Sequence, residues 1–193
     1  MDIKRPVSDQ PLPENAQRVF QGIVFDVYQW EVTGYDGSTK IFEKLKRPDT
    51  AAVIPVTEDK KILVALQEQP GKEPYTDLIS GRSDEGENPL EAAQRELLEE
   101  TGYESKNWLF FSAHQPVTKI DWCVFIFVAR DCRKVAKQNL DGAEKITPKL
   151  MEFEEFFRAV LSGKIENQEL RTKFLEMKID PQKMEEMRRF ILG

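Results

Sequence analysis

The chain has few of the residues on which several kinds of functional site depend. Its 193 residues contain two cysteines and one histidine. A disulfide framework and a zinc site built from cysteine or histidine are therefore excluded, and any metal must be held mainly by oxygen atoms. The low cysteine count favours a reduced, cytoplasmic setting. We expect Cys123 in the core, Cys132 in a polar loop, and a structural or loop role for His114.

Long apolar runs and a positive net charge are also missing. No stretch of about 18 apolar residues is present, which excludes a transmembrane helix, and residues 1–15 lack the apolar segment of a signal peptide. The formal net charge of −6 creates no overall field that attracts nucleic acid or an anionic membrane. We therefore expect neither as a partner.

A predicted helix with strong end signals carries the most informative residues. Residues 81–103 read GRSDEGENPLEAAQRELLEETGY, a glycine-rich acidic loop followed by a helical pattern. Asn88 is a favourable N-cap, Pro89 suits the first helical position, and Glu91 completes a capping box. Gly102 is placed for a left-handed C-terminal cap. Both ends of this helix are thus predicted from the sequence.

Three carboxylates share one face of that helix. Glu96, Glu99 and Glu100 stand at i, i+3 and i+4, so their side chains are neighbours. Each like-charge pair destabilises a helix by roughly 0.2–0.5 kcal/mol unless it is neutralised. An apolar stripe on the opposite face leaves the acidic face free for a ligand, and clustered oxygen atoms suit Mg²⁺ or Mn²⁺. The alternative is an acidic face that is simply solvated.

The spacing of the whole segment decides between these alternatives. Gly81 is followed after five residues by Glu87, and after seven more by Arg95-Glu96-Leu97, then Glu99-Glu100 and Gly102-Tyr103. From average residue usage, a chance match in such a chain is on the order of one in a million. This pattern resembles the Nudix box, GX5EX7REUXEEXGU, at every defined position. A solvated face is therefore disfavoured.

The resemblance implies a fold, a reaction and a set of site residues. Nudix hydrolases have an α/β/α sandwich with a mixed sheet and split a diphosphate linked to a moiety X, using Mg²⁺ or Mn²⁺. Arg95 would orient a ligand carboxylate of the catalytic centre, with Glu99 as its i+4 neighbour, and Glu87 would hold the loop or bind metal through water. The metal ligands implied are Glu96, Glu99, Glu100, Glu87 and the carbonyl of Ser80.

Periodicity along the rest of the chain predicts an α/β domain with two appendages. Residues 1–47 read as a loose lead-in and a β-hairpin, a dimerisation or substrate extension, and residues 48–193 as the Nudix domain with C-terminal helices. The hairpin aromatics either pack on the core or remain exposed for a dimer interface. Strands are predicted at 22–32, 40–46, 50–56, 62–66, 75–80, 108–113, 122–129 and 146–151, a polar loop at 130–145, and helices at 152–163, 167–178 and 181–192.

Residues 22–174 are most similar to the ADP-ribose pyrophosphatase-type branch of the family. The branch implies a homodimer that exchanges hairpins, which places Glu43 and an aromatic residue, Trp30 or Phe25, near a base. Gly81 and a loop acid, Asp121, would contact substrate. The branch carries an arginine after the strand at 62–66, where this chain has Gln69, and Lys119 is our candidate for the replacement cation. Ile79-Ser80-Gly81 stands where Pro-Ala-Gly is usual.

The function expected is Mg²⁺-dependent cleavage of a nucleoside diphosphate sugar resembling ADP-ribose into two phosphomonoesters. In this branch the general base comes from a loop before the last strand, which makes Glu144 the first candidate and Asp141 the second. Alternative substrates are a GDP-sugar or a dinucleotide such as NADH. A non-catalytic Nudix ligand sensor is the alternative from a different class, although no box carboxylate is missing here.

Overall fold

A computed structural model describes residues 3–140, 142 and 145–193 of the protein. Its strands are β1 (Gln17–Gln21), β2 (Asp26–Thr33), β3 (Thr39–Lys46), β4 (Thr50–Thr57), β5 (Ile62–Gln69), β6 (Lys72–Asp77), β7 (Ile79–Arg82), β8 (Tyr103–Glu104), β9 (Asn107–His114), β10 (Ile120–Asp121), β11 (Val124–Lys134) and β12 (Lys145–Met151). Its helices are α1 (Pro89–Thr101), α2 (Phe153–Ser162), α3 (Gln168–Lys178) and α4 (Pro181–Leu192).

The strands form two sheets. The smaller sheet has the order β1-β2-β3-β10, and the larger has the order β12-β5-β4-β11-β8, with β6, β7 and β9 paired to β5, β4 and β11. The pairing of β4 with β11 is parallel, whereas β7, β9 and β12 pair antiparallel to their neighbours. The large sheet is therefore mixed, as the sequence predicts.

Both faces of the large sheet are covered, which makes the domain an α/β/α sandwich. Along β4, Ala51 and Val53 pack with α1, whereas Ile54 and Val56 pack with the C-terminal helices on the other face. A strand buried on both faces has no polar side to present, which explains its nearly continuous apolar sequence, TAAVIPV. The predicted fold class is confirmed.

The C-terminal helices bury an aromatic cluster against the sheet. Phe156 and Phe174 are fully buried and meet edge to face, with ring centroids 5.9 Å apart. Gly163 ends α2 in a left-handed conformation, as its position in the sequence predicts. No helix in the described part of the chain is long and apolar enough to cross a membrane.

Three local predictions are wrong. Strand β1 was not predicted, and β11 continues to Lys134 where a polar loop was expected. Cys132 accordingly lies in a buried strand rather than in a loop. The loose lead-in is anchored: Arg5 and Ser8 bond to the hairpin and its neighbouring loops. The extension of β11 and the anchored lead-in depend on contacts between distant segments, which stabilise polar stretches that look loop-like alone, whereas β1 forms by pairing with the adjacent β2.

Both cysteines are buried and reduced. Cys123 lies in the core as expected, and Cys132 is equally inaccessible. Burial, which penalises the charged thiolate, raises the pKa of each thiol to about 12. Neither cysteine is therefore suited to nucleophilic chemistry at neutral pH.

Candidate active site

The ends of α1 are fixed by its own sequence. The Asn88 side chain accepts hydrogen bonds from the backbone N–H groups of Leu90 and Glu91, and Glu91 accepts one from the N–H of Asn88. Gly102 ends the helix with a φ of 72°, and its N–H donates to the Leu98 carbonyl. These caps hold the register of the helix, so the carboxylates that follow have fixed positions.

The three carboxylates of α1 differ in exposure. The side chain of Glu99 is 39% exposed and that of Glu96 is 12% exposed, whereas Glu100 is only 4% exposed. One Glu100 oxygen accepts a hydrogen bond of 3.2 Å from the N–H of Ser80. The expectation of an acidic face that is free along its whole length is therefore wrong at Glu100, which lies at the boundary between α1 and β7.

Arg95 joins more of the site than the sequence indicates. Beyond the predicted pair with Glu99, at 3.0 Å, the guanidinium donates to Glu96 at 2.7 Å and to both oxygens of Glu87 at 3.0 and 3.1 Å. It also donates to the carbonyl of Arg82 at 2.8 Å. The bonds to Glu87 raise the pKa of Arg95 and lower that of Glu87. Arg95 thus links the helix to the loop before it.

Glu87 fastens the glycine-rich loop. Besides its pair with Arg95, its Oε2 accepts a hydrogen bond of 2.9 Å from the N–H of Asp84. This is the geometry of a loop-holding residue, one of the two roles suggested for Glu87. The other suggested role, a metal ligand acting through water, stays a prediction.

A cavity of about 350 Å³ lies over the carboxylates. Its walls include Ser80, Gly81, Glu96, Glu99 and Glu100. Gly81 is required there for space, because a Cβ atom at this position would lie 2.0 Å from the carboxylate of Glu96. The predicted box residues are therefore brought together around one polar cavity.

We expect Gly81→Ala to impair activity much more than stability. The added methyl meets the flexible end of Glu96 rather than backbone, so the free energy of unfolding should fall by less than about 1 kcal/mol. Displacement of Glu96, a predicted metal ligand, should lower kcat by about 10–100-fold. Thermal unfolding and steady-state kinetics measure the two effects. Adding Glu96→Asp, which shortens the displaced side chain, should recover part of the lost kcat, and no recovery would contradict the steric explanation.

The donor chemistry of the cavity fits a hard divalent cation. Glu96, Glu99, Glu100 and the Ser80 carbonyl offer only oxygen atoms, which Mg²⁺ and Mn²⁺ prefer. Within residues 3–140, 142 and 145–193, however, no three carboxylate, imidazole or thiol groups converge as a ready-made metal site. Arg95 instead draws Glu96 and Glu99 to its guanidinium.

A second, larger cavity of about 720 Å³ adjoins the first and shares Asp84 with it. It lies between the hairpin and the glycine-rich loop. The cations in its wall are Arg5, Arg18, Lys46 and Arg47. The same wall carries five acids, two of which are paired with Arg5 and Arg18, so a ligand that extends from the carboxylate cavity would meet both signs of charge here.

Arg47 is a candidate that sequence reasoning missed. Its guanidinium lies 4.6 Å from the ring centroid of Trp122 and 5.6 Å from that of Phe25. Its Nε is buried without a hydrogen-bond partner, and burial lowers its pKa. Both rings are within cation–π distance of the guanidinium and restrict its position. The sequence shows Arg47 only as a residue before a strand, so no local signal reveals these rings.

The five other predicted substrate residues line neither cavity in the part of the chain that the structure describes. Asp121 pairs with Arg5 at 2.9 Å, and Lys119 donates to the side chain of Gln10. Glu43 accepts a hydrogen bond from Gln29. Buried Trp30 borders a separate depression on the hairpin, and Gln69 borders one next to Pro70. Their substrate roles stay predictions.

Both candidates for the general base, Glu144 and Asp141, lie outside the described residues. The segment that leads to them starts beside the carboxylates. The N–H of Asn139 donates to the Glu99 carbonyl at 2.9 Å, and the Gln138 side chain donates to the carbonyls of Glu100 and Ile146. The loop that carries the candidate bases is thus fixed at its origin against the C-terminal end of α1.

Comparison with known proteins identifies the family. A model of the NUDIX domain matches residues 46–174. The chain belongs to the Nudix family. The match begins at the end of the hairpin and covers the box, both cavities' walls from Lys46 onward and the first half of α3.

Two relatives and one solved structure refine the comparison. The chain is 29% identical over 152 residues to the ADP-ribose pyrophosphatase of Bacillus subtilis (strain 168), covering 77% of this chain and 82% of that protein. It is 31% identical over 133 residues to the methanol dehydrogenase activator of Bacillus methanolicus, covering 67% and 70%. The crystal structure of an ADP compounds hydrolase superposes with a TM-score of 0.67 at 18% identity, covering 94% and 98%.

These comparisons confirm three sequence-based predictions. The chain is a Nudix protein of the ADP-ribose pyrophosphatase-like branch, its fold is that of the family, and its enzyme class is a hydrolase acting on phosphorus-containing anhydrides. The solved structure, at 18% identity, bears on the fold alone.

Proposed function

We propose that this Nudix protein is a Mg²⁺- or Mn²⁺-dependent pyrophosphohydrolase that cleaves ADP-ribose or a similar nucleoside diphosphate sugar to two phosphomonoesters. The observation that carries the proposal is the junction of two cavities at Asp84: the first is walled by the box carboxylates, and the second has four cations in its wall beside five acids. A diphosphate bound across this junction has its scissile bond near the carboxylates. The relative named ADP-ribose pyrophosphatase supports the substrate class.

The box residues would hold the cation and orient its ligands. Glu96, Glu99, Glu100 and the Ser80 carbonyl would hold the cation, which when bound neutralises the diphosphate and acidifies a water molecule. Arg95 keeps two of these carboxylates oriented through its bonds of 2.7 and 3.0 Å. Preorganisation of this kind lowers the cost of reaching the transition state.

Arg47 would bind the part of the substrate that lies beyond the scissile bond. A guanidinium in contact with two rings, with a buried Nε–H that has no hydrogen-bond partner, is restricted in position and can donate from its other N–H groups to a phosphate or to a nucleobase oxygen. Gly81 serves the site by leaving room for Glu96. The proton of the attacking water would go to the Glu144 carboxylate, or to that of Asp141.

The proposal includes a homodimer that forms through the hairpin, with residues 1–47 as an extension and residues 48–193 as the Nudix domain. Val19, Phe20 and Ile41 of the hairpin sheet are 51–60% exposed, and their burial against a second copy would remove apolar surface from water. In such a dimer the hairpin of residues 1–47 would carry Glu43 and Trp30 to the Nudix domain, residues 48–193, of the partner. Asp121, Lys119 and Gln69 would also take part in substrate binding. A sedimentation experiment that shows a monomer would contradict this arrangement.

The test of the proposed function is a substrate panel with identified products. Purified protein with Mg²⁺ or Mn²⁺ should convert ADP-ribose to AMP and ribose 5-phosphate, and EDTA should abolish the reaction. GDP-sugars and NADH are included because they are the alternative substrates expected from the sequence. Release of no phosphomonoester from any compound would overturn the proposal and favour a ligand sensor.

A second candidate function rests on the relative named methanol dehydrogenase activator. In this case the protein would increase the activity of an alcohol dehydrogenase. Its addition to a purified methanol dehydrogenase should raise the rate of alcohol oxidation. A Glu99→Gln variant separates activation through hydrolysis from activation through binding. It should no longer raise the dehydrogenase rate if hydrolysis is needed, and should still raise it if binding suffices.

Replacement of Arg47 should weaken substrate binding more than turnover. We expect Arg47→Met to raise KM for the preferred substrate by about 10–100-fold, the value of one or two lost charge-assisted hydrogen bonds, with kcat changed by less than about threefold. The KM of Arg47→Lys should lie between those of the wild type and Arg47→Met, since lysine keeps the charge but lacks the planar guanidinium. Arg18→Met is the matched control: Arg18 lines the same cavity but is paired with Asp26. An equal effect in both variants would contradict a specific role for Arg47.

A further inference from the structure

Residues 3–10, here called the N-terminal strap, are bound along the hairpin and the loop before β11. Lys44 of β3 is 1% exposed beneath the strap and donates to the Ser8 hydroxyl at 2.9 Å and to the Gln10 carbonyl at 2.5 Å. From the loop, Gln115 donates to the carbonyl of Pro6. A buried lysine ammonium is costly unless its donors are satisfied, so the strap is an integral part of the hairpin's packing.

Arg5 joins the strap to two acids from distant parts of the chain. Its Nε and Nη2 donate to the two oxygens of Asp49 at 2.8 and 3.1 Å, and Nη2 also donates to Asp121 at 2.9 Å. The side chains of Asp49 and Asp121 are only 21% and 18% exposed. One guanidinium therefore neutralises two carboxylates that are largely withdrawn from water.

Asp49 and Asp121 in turn hold the segments that carry the cavity wall. The Asp49 carboxylate accepts a hydrogen bond of 2.7 Å from the N–H of Cys123, and its backbone carbonyl accepts one from Ser83 in the glycine-rich loop. The carbonyl of Asp121 accepts the N–H of Arg47. The two acids therefore fix the backbone on either side of the guanidinium that we assign to substrate binding.

The strap also faces the larger cavity directly. Ile3 and Arg5 both line it. The acids in the same wall are Asp26, Asp49, Asp84, Glu85 and Glu87. Of these, Asp26 is paired with Arg18 and Glu87 with Arg95. If Arg5 were absent, Asp49 would face an anionic substrate without its guanidinium partner, and Asp121, just outside the cavity, would lose the same partner.

We propose that Arg5 is a positioning residue for substrate binding: through Asp49 and Asp121 it fixes the backbone around Arg47, and it offsets the negative charge of Asp49 in the cavity wall. The N-terminal strap is then a permanent wall of the substrate cavity. This inference rests on the proposed function, because it concerns the same cavity. It assigns a specificity role to a segment that precedes the part matched by the family model.

The first test is kinetic. Arg5→Met should raise KM for the preferred nucleoside diphosphate by at least tenfold at low ionic strength while kcat stays within about threefold, because the box carboxylates are untouched. Arg5→Lys keeps the positive charge but not the bidentate guanidinium, so its KM should rise less than that of Arg5→Met. Arg133→Met is the matched control, since it also removes one exposed arginine paired with a carboxylate, Glu58, that lines neither cavity. A KM ratio of one between Arg5→Met and the wild type would overturn the inference.

The second test separates charge cancellation from simple loss of packing. In Arg5→Met/Asp49→Asn, the unpaired charge is removed while the Asn carbonyl oxygen still accepts the N–H of Cys123. The double variant should return KM at least halfway, on a logarithmic scale, towards the wild-type value. A double variant that is worse than Arg5→Met would mean that Arg5 acts only through packing, which contradicts the electrostatic part of the proposal.

The third test does not depend on activity. Amide hydrogen exchange at Cys123, whose N–H is bonded to Asp49, should be at least tenfold faster in Arg5→Met than in the wild type and unchanged in Arg133→Met. Equal exchange in the wild type and Arg5→Met would overturn the positioning role. A wild-type protein that cleaves no diphosphate would overturn the proposed function instead, while the exchange result would still decide whether Arg5 holds these segments.

Discussion

Glu99→Gln should lower kcat by about 10²–10³-fold while leaving the fold intact, the loss expected when one preorganised charge-stabilising group is removed from a catalytic site. Glu99 is the most exposed of the three box carboxylates of α1, and within the described residues its carboxylate accepts a side-chain hydrogen bond from Arg95. The amide oxygen of Gln can still accept that bond. The free energy of unfolding should therefore change by less than about 0.5 kcal/mol.

Comparison with Glu100→Gln makes this prediction sharper. Glu100 is buried and accepts the N–H of Ser80, so its replacement should lower both kcat and the melting temperature. Glu104→Gln removes an exposed carboxylate just beyond the helix and serves as the control for net charge. The measurements are steady-state kinetics with Mg²⁺ and thermal unfolding. Wild-type turnover in Glu99→Gln would remove Glu99 from the metal-ligand set.

Arg95→Met should have the largest effect on stability, and that effect should depend on metal. Its guanidinium donates to Glu87, Glu96, Glu99 and the Arg82 carbonyl. Removal of one partner from such a partly buried cluster should cost about 3 kcal/mol of unfolding free energy, equivalent to a fall in Tm of roughly 6–12 °C in a chain of this size. Saturating Mg²⁺ should restore part of the loss, because a cation then offsets the repulsion among the carboxylates.

The matched control for Arg95→Met is Arg158→Met, in which an exposed arginine on α2 is removed. Its Tm should stay within about 2 °C of the wild type and should not respond to Mg²⁺ differently from the wild type. Activity of Arg95→Met should also fall, since the ligand carboxylates lose their orientation. Equal Tm losses with EDTA and with Mg²⁺ would contradict a metal site at these carboxylates.

The sequence predicts those parts of the site that depend on local spacing. The caps of α1, its apolar stripe and the common face of Glu96 and Glu99 all follow from helical periodicity within 13 residues. The sandwich follows in the same way from a strand that is apolar on both faces. The Nudix box can be recognised from the sequence because its residues lie close together along one helix and the loop before it.

The remaining parts depend on contacts between residues that are far apart in the chain. Glu100 is buried because β7 packs beside α1, which no spacing within the helix reveals. Arg5 meets Asp49 at a separation of 44 residues and Asp121 at a separation of 116. Arg47 gains its significance only from the two rings that the fold places over it. Such tertiary contacts override what a polar lead-in or a residue before a strand suggests.

The two buried thiols make this protein convenient for site-directed labelling. With a pKa of about 12, each is ionised in only about one molecule in 10⁵ at neutral pH. A cysteine introduced at an exposed hairpin position such as Gln17 would therefore react with a maleimide dye long before either native thiol. Single-molecule energy transfer between two copies labelled in this way would then report directly how their hairpins lie relative to each other, without first replacing the native cysteines.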